Sequence, residues 1–248
     1  MNAPHLQLPN EVPLDNPIWA SLTTRHAHLA IGAEIGNGLA RQYPANIGPL
    51  AAFEEPTPDA YSDLAQVIPT EDIAVLFLAS EPQLPDGWQL LRGGVLVQMI
   101  CRRLPIPPAP DPLMQPASIQ PLTPADYSEM LALASLTEPG PFRQHTAELG
   151  GFLGIRVEGR LAAMAGRRLA PVGFSEISAV CTHPDFRGRG FARALVTEVA
   201  LSIYADGDTP VLTSFEANTT AIKVYEEVGF SIRRRFYLAV VKPPTKAS

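Results

Sequence analysis

Apolar residues at Phe191, Leu195, Val199 and Ile203 recur every four positions, with Ala192 and Val196 beside them. That spacing lines one face of a helix and predicts an amphipathic helix running to about Ala205. Upstream, Phe152 to Val157 and Leu161 to Leu169 flank Glu158-Gly159-Arg160 and read as a hairpin. Phe174 to Thr182 is a further strand, ended by His183-Pro184-Asp185, and Pro210 to Phe215 another. Asn218 to Val228 reads as a helix and Ser231 to Val241 as a last strand. A short strand is expected at Ser118 to Pro121, followed by a helix that Thr123 caps, with Pro124 in its first turn and Asp126 near its positive end. Glu138-Pro139-Gly140-Pro141 stops that helix. The unit from Phe174 to Phe215 should be a right-handed crossover joining two parallel strands.

The first half carries weaker patterns. Asn16 to Leu22 begins a plausible helix, and Ala74 to Ala79 is strand-like. Gln89 to Leu91 and Val95 to Cys101 flank Arg92-Gly93-Gly94, which reads as a second hairpin. Gly32, Gly36 and Gly38 read as turn or bulge glycines. Between the halves, six prolines crowd into Leu104 to Ala117. Such a stretch lacks backbone donors and prefers an extended geometry, so it reads as a semi-rigid linker. The expected organisation is therefore an α+β chain with a mixed sheet: a smaller N-terminal α+β domain (1–103), a linker (104–117) and a C-terminal domain (118–248).

Composition narrows the function. The 248 residues carry a formal charge of −6, against a general nucleic-acid binder, which normally presents a basic face. Arg233-Arg234-Arg235 is the local exception and reads first as a solvated strand end. Two cysteines, Cys101 and Cys181, build no disulfide framework, and no metal-type spacing exists. The N-terminus has no signal-peptide core, and the longest apolar run, Ile73 to Ala79, is far below membrane-spanning length. The expectation is a cytoplasmic protein with no metal, nucleic-acid or membrane partner.

The candidate chemistry lies at Arg187-Gly188-Arg189-Gly190-Phe191-Ala192, between a strand and the long helix. A glycine turn entering a helix presents backbone N–H groups that have no intrahelical partner. With the positive end of the helix dipole, those donors suit a phosphate. Gly188 and Gly190 permit close approach and positive φ, and Arg187 and Arg189 add charge.

This R-x-x-G-x-A run, followed by Asn218, Ala221, Tyr225, Gly229 and Phe230, resembles the acyl-CoA-binding core of the GNAT N-acetyltransferase superfamily across about residues 118–248. The order hairpin, parallel crossover, helix, last strand is the order of that fold. The resemblance implies a C-terminal GNAT domain, with 1–103 a separate domain or, by analogy with tandem GNAT proteins, a degenerate copy. It implies an acyl-CoA-dependent N-acyltransferase with acetyl-CoA as cosubstrate and a small-molecule or protein amine as acceptor. The alternative is a non-catalytic acyl-CoA-binding or sensing protein.

By resemblance, Arg187, Gly188, Arg189, Gly190, Phe191 and Ala192 hold the CoA diphosphate. Main-chain groups around Val180 and Cys181 meet the thioester carbonyl and pantetheine amides, and Asn218 borders the pantetheine arm. Tyr225, seven residues on and on the same helix face, takes the role of proton donor to the leaving thiolate. Arg233 to Arg235 could alternatively reach CoA phosphates. Cys181 reads as a small buried strand residue rather than a nucleophile. Glu176 is the best candidate base, because strand alternation places it with Phe174, Ser178 and Val180; an ion-paired or edge carboxylate carries equal weight. His145 and Glu148 are weaker candidates. The acceptor amine is not legible.

Overall fold

The computed structural model describes residues 6–69, 71–103, 105 and 119–245. Most of the expected Pro-rich linker, 104–117, lies outside the described residues. A small antiparallel pair joins β1 (Ala40–Gln42) to β2 (Ala51–Phe53). The main sheet has eight strands. From the N-terminal half come β3 (Ala74–Leu78) and β4 (Gln89–Cys101). The rest are β5 (Ile119–Leu122), β6 (Phe152–Val157), β7 (Arg160–Arg167), β8 (Phe174–Thr182), β9 (Thr209–Phe215) and β10 (Phe230–Lys242). Their order is β3-β10-β4-β9-β8-β7-β6-β5, antiparallel throughout except for β8 with β9.

Local signals account for most helix ends. Asn16 caps α1 (Pro17–Leu22) by accepting from the Trp19 N–H, and Thr57 caps α2 (Pro58–Val67). At Thr123 the Asp126 carboxylate accepts from both the backbone N–H (2.8 Å) and the side-chain hydroxyl (2.9 Å), just ahead of α3 (Tyr127–Thr137). Glu138 ends α3 in a left-handed conformation. The helix α4 (Phe191–Ala205) buries Phe191, Leu195, Val199 and Ile203, as its spacing predicts, against β7, β8 and β9. Asn218 caps α5 (Thr219–Val228) by accepting from the Ala221 N–H at 3.2 Å.

The hairpin expected at Gln89 to Cys101 is instead one uninterrupted strand. Its glycines are there for space rather than for turning. A Cβ on Gly93 would lie 2.1 Å from the Tyr237 hydroxyl, and one on Gly94 3.2 Å from the Phe215 ring. Long β4 therefore runs between β9 and β10, paired with β10 from Phe230↔Cys101 to Lys242↔Gln89. The sheet is common to both halves of the chain. Two core clusters follow from this: Val75, Phe77, Leu96, Phe236 and Leu238 pack with α1, while α4 and Tyr225 pack with Val97, Met99 and Leu212.

The three consecutive arginines also differ from expectation. They sit inside β10 and are spent on ion pairs: Arg233 with Glu11 (2.7 Å) and Asp15 (2.8 Å), Arg234 with Asp15 (2.8 Å), Arg235 with Glu216 (2.6 Å). Arg233 and Arg234 bind the N-terminal segment to the sheet, Arg235 binds the end of β9, and none of the three lines the cleft described below.

Candidate active site

The strands β8 and β9 pair only from Phe174↔Thr209 to Ile177↔Leu212 and then separate. Past that point β9 stays with β4, up to Leu96↔Phe215, and β8 stays with β7. The divergence coincides with a bulge. Met164 and Gly166 of β7 oppose Cys181 and Ser178 of β8, so β8 holds one extra residue there, and Ala179 has φ +51°. A bulge bends its strand and disrupts the pairing. It leaves one edge of β8 from Ser178 onward without a strand partner, facing the gap.

The gap opens into a cleft of about 1160 Å³ whose lining includes Val180, Cys181, every residue from Arg187 to Ala192, Asn218 and Tyr225. The sequence-derived candidates thus converge, with Glu176 and the weaker candidates His145 and Glu148 excepted. Gly188 (φ +76°) and Gly190 (φ +75°) take the left-handed conformation, and no atom lies within 4 Å of where a Cβ would be. Gly190 is the N-cap of α4, with no side-chain acceptor for the first helical N–H groups. A turn of open donors at the positive end of a fifteen-residue helix can hold an anion. The Arg189 guanidinium stacks over the Phe186 ring at 5.2 Å and stays beside the turn.

Tyr225, on the buried face of α5, borders the same cleft. Burial, reinforced by the Cys181 thiol nearby, pushes its hydroxyl up to about 12, so it is a proton donor at neutral pH. Burial likewise pushes the Cys181 thiol up to about 11. A neutral buried thiol is a poor nucleophile.

Glu176 was expected as the base. The fold buries it to 2% exposure and spends both oxygens: Arg168 donates through Nε (2.9 Å) and Nη2 (3.1 Å), and Thr213 through Oγ1 (2.8 Å). The bulge also breaks the alternation that had aligned Glu176 with Val180. Glu176 does not line the main cleft, whereas its partners Arg168 and Thr213 do. His145 is turned to Glu148 at 2.6 Å and is outside the lining.

The far end of the cleft was not foreseen. There Leu50, Val75, Phe77, Leu238 and Val240 form an apolar wall, and Glu138–Arg143 forms another. Arg143 ties this second wall to the N-terminal half through Asp72 (2.8 and 2.9 Å) and the Ala45 carbonyl (2.6 Å). Arg92, Arg143 and Arg168 all line this end. The signal that could have found them is weak: isolated arginines in strands or loops look like surface residues until pairing brings them together.

The FR47-like protein family model matches residues 152–238. A protein of known structure from Novosphingobium aromaticivorans, assigned to the GNAT family of acetyltransferases, is 37% identical with a TM-score of 0.83, over 94% of this chain and 99% of that one. The fold is shared with a GCN5-related N-acetyltransferase from Kribbella flavida (17% identity, TM-score 0.61, 89% and 93% coverage). It is shared too with a GNAT acetyltransferase from Colwellia psychrerythraea (12%, 0.52, 90% and 97%). No curated protein matches the sequence. The chain belongs to the GNAT family of acetyltransferases.

Proposed function

We propose that the protein transfers an acyl group, acetyl by default, directly from the thioester of CoA to an amine within a ternary complex. The observation that carries this reading is the convergence of an open glycine turn, a freed β8 edge and a neutral tyrosine hydroxyl on one cleft. The Gly188–Ala192 turn, with Arg187 and Arg189, would hold the diphosphate. Main-chain groups of Val180 and Cys181 would meet the pantetheine arm and thioester carbonyl, and Asn218 would fix the entry of α5 beside them. The amine nitrogen attacks the thioester carbon and the C–S bond breaks. Tyr225 gives its proton to the departing thiolate, the nitrogen gives its own to water, and solvent returns a proton to the Tyr225 oxygen before the next turnover.

The raised Cys181 thiol supports direct attack over a covalent intermediate on the enzyme. Glu176 is best read as a positioning residue that holds Arg168 and Thr213, and the base is left to water. The division into 1–103 and 118–248 is retained as one of roles: the second part supplies the CoA turn, and the first supplies Leu50, Val75 and Phe77 to the acceptor end. The rival, an acyl-CoA sensor, predicts binding without turnover.

Thermal denaturation with acetyl-CoA, longer acyl-CoAs, CoA and ATP tests the cosubstrate. A ligand at about one hundred times its Kd stabilises by about 2.7 kcal/mol. Stabilisation by CoA and acetyl-CoA but not ATP is expected, followed by amine-dependent CoA release. Equal shifts with ATP, or none with CoA, would reject the reading.

A further inference from the structure

The acceptor end of the cleft has an unbalanced charge. Among the described residues seven charged side chains line the whole cleft, and Glu138 is the only acid among them. Arg187, Arg189 and Arg193 belong to the diphosphate end. At the other end Arg143 is neutralised by Asp72 and Arg168 by Glu176. Arg92 has no ion pair among the described residues, and its guanidinium rests over the Phe215 ring at 5.3 Å. Phe215 in turn bonds to the entry of α5, accepting from the Asn218 N–H at 2.9 Å. Arg92 also stands opposite Val240 of the apolar wall in the β4–β10 register, which puts it at the acceptor end of the cleft. Gly94, two residues along the same strand face, leaves the room that the Phe215 ring fills. Deeper in, Arg168 is only 7% exposed, and its Nη1 makes no hydrogen bond to the described residues. Beside these two cations stands the apolar wall of Val75, Phe77, Leu238 and Val240.

Resting on the acyltransferase reading, we infer that the acceptor is a primary amine bearing a carboxylate and an apolar side chain: a free aliphatic or aromatic amino acid. The carboxylate pairs with Arg92, and with the spare Arg168 donor where it reaches that depth. The side chain lies on the apolar wall, and the nitrogen is left toward the thioester. Guanidinium groups suit this job because their planar donors match a carboxylate. The same field disfavours an ammonium ion, so an amine bound there loses its proton more readily, which compensates for a site without a dedicated base. Polyamines and lysine side chains, which bring positive charge, are disfavoured by the same repulsion.

The test measures CoA release from acetyl-CoA with leucine and phenylalanine against isoamylamine, phenethylamine, leucinamide and spermidine. The amino acids should exceed their decarboxylated partners in kcat/KM by about tenfold or more, the scale of one charge-assisted hydrogen bond. Arg92→Met should remove that ratio by raising KM for the amino acids, and Arg92→Lys should restore part of it. Calorimetry of the CoA-bound protein with N-acetylphenylalanine and N-phenethylacetamide reads the same preference without turnover, and only the first should bind. Equal turnover of amine and amino acid, a preference for spermidine, no binding of N-acetylphenylalanine, or an unchanged ratio in Arg92→Met would overturn the inference. Absence of a CoA-induced thermal shift would instead reject the acyltransferase reading beneath it.

Discussion

Two glycine-rich turns in this protein share a conformation and differ in what fills them. Gly32, Gly36 and Gly38 have positive φ (+115°, +61°, +69°), as do Gly188 and Gly190. In the first turn a Cβ on Gly36 would lie 2.0 Å from the Asp63 carboxylate. That carboxylate, 1% exposed, accepts from the Asn37 and Leu39 N–H groups at 2.9 Å each. The protein's own side chain occupies the anion site. In the second turn a Cβ on either glycine would meet nothing within 4 Å beyond its own chain neighbours, and the first N–H groups of α4 have no side-chain cap. Glycine spacing therefore reports backbone geometry, and only the fate of the freed donors separates a structural turn from a binding one.

The largest effect should come from filling the open turn. Gly190→Glu places a carboxylate at the helix N-terminus and forces a side chain into a left-handed conformation, costing about 1–2 kcal/mol of stability. CoA should no longer raise the melting temperature while the far-UV spectrum is kept; wild-type affinity would move the anion site elsewhere. Next is Tyr225→Phe, which spares packing and should lower kcat by about 10² or more with little change in acetyl-CoA binding. Steady-state kinetics with a competent amine would retire Tyr225 if kcat held.

Emptying the closed turn should act on stability alone. Asp63→Ala strands two part-buried N–H donors, a loss of about 1–3 kcal/mol in denaturant unfolding, without creating a second CoA site. Calorimetric stoichiometry above one CoA per chain would break the contrast between the turns. The effect smallest at neutral pH concerns His26, buried beside the Tyr43 hydroxyl at 2.7 Å. Burial pulls its imidazole down to about 4, whereas the unfolded chain protonates near 6.5. Below pH 6.5 the unfolded state takes up a proton that the folded state refuses, so stability falls from about pH 6.5 to 4. The loss is at most about 3 kcal/mol. His26→Gln should flatten that limb of the stability profile and leave the CoA-induced shift as it was.

The helices of the second half and the glycine turn ahead of α4 were legible because their causes are local. Four-residue spacing set α4 from Phe191 to Ala205, and Asn218 and Thr123 marked helix starts by bonds to groups a few residues away. The glycine turn and Tyr225 are separated along the chain, yet each carries a pattern that its own neighbours explain. Glu176 shows where such reasoning stops. Its position on a strand was readable, but its partner Arg168 and the bulge at Ala179 depend on how β7 and β8 pair.

The sequence by itself determined the elements of the second half, their order, the open glycine turn ahead of α4 and the family, because these rest on spacing, capping and backbone freedom within short windows. Tertiary structure alone decided that β4 runs between β9 and β10, that Asp63 closes one glycine turn, and that Arg92 and Arg168 line one cleft with the apolar wall of Val75, Phe77, Leu238 and Val240. Those outcomes turn on contacts such as Cys101 with Phe230 and Arg92 with Phe215, between residues more than a hundred positions apart. No local periodicity encodes them; they are fixed only when burial and strand pairing are satisfied together.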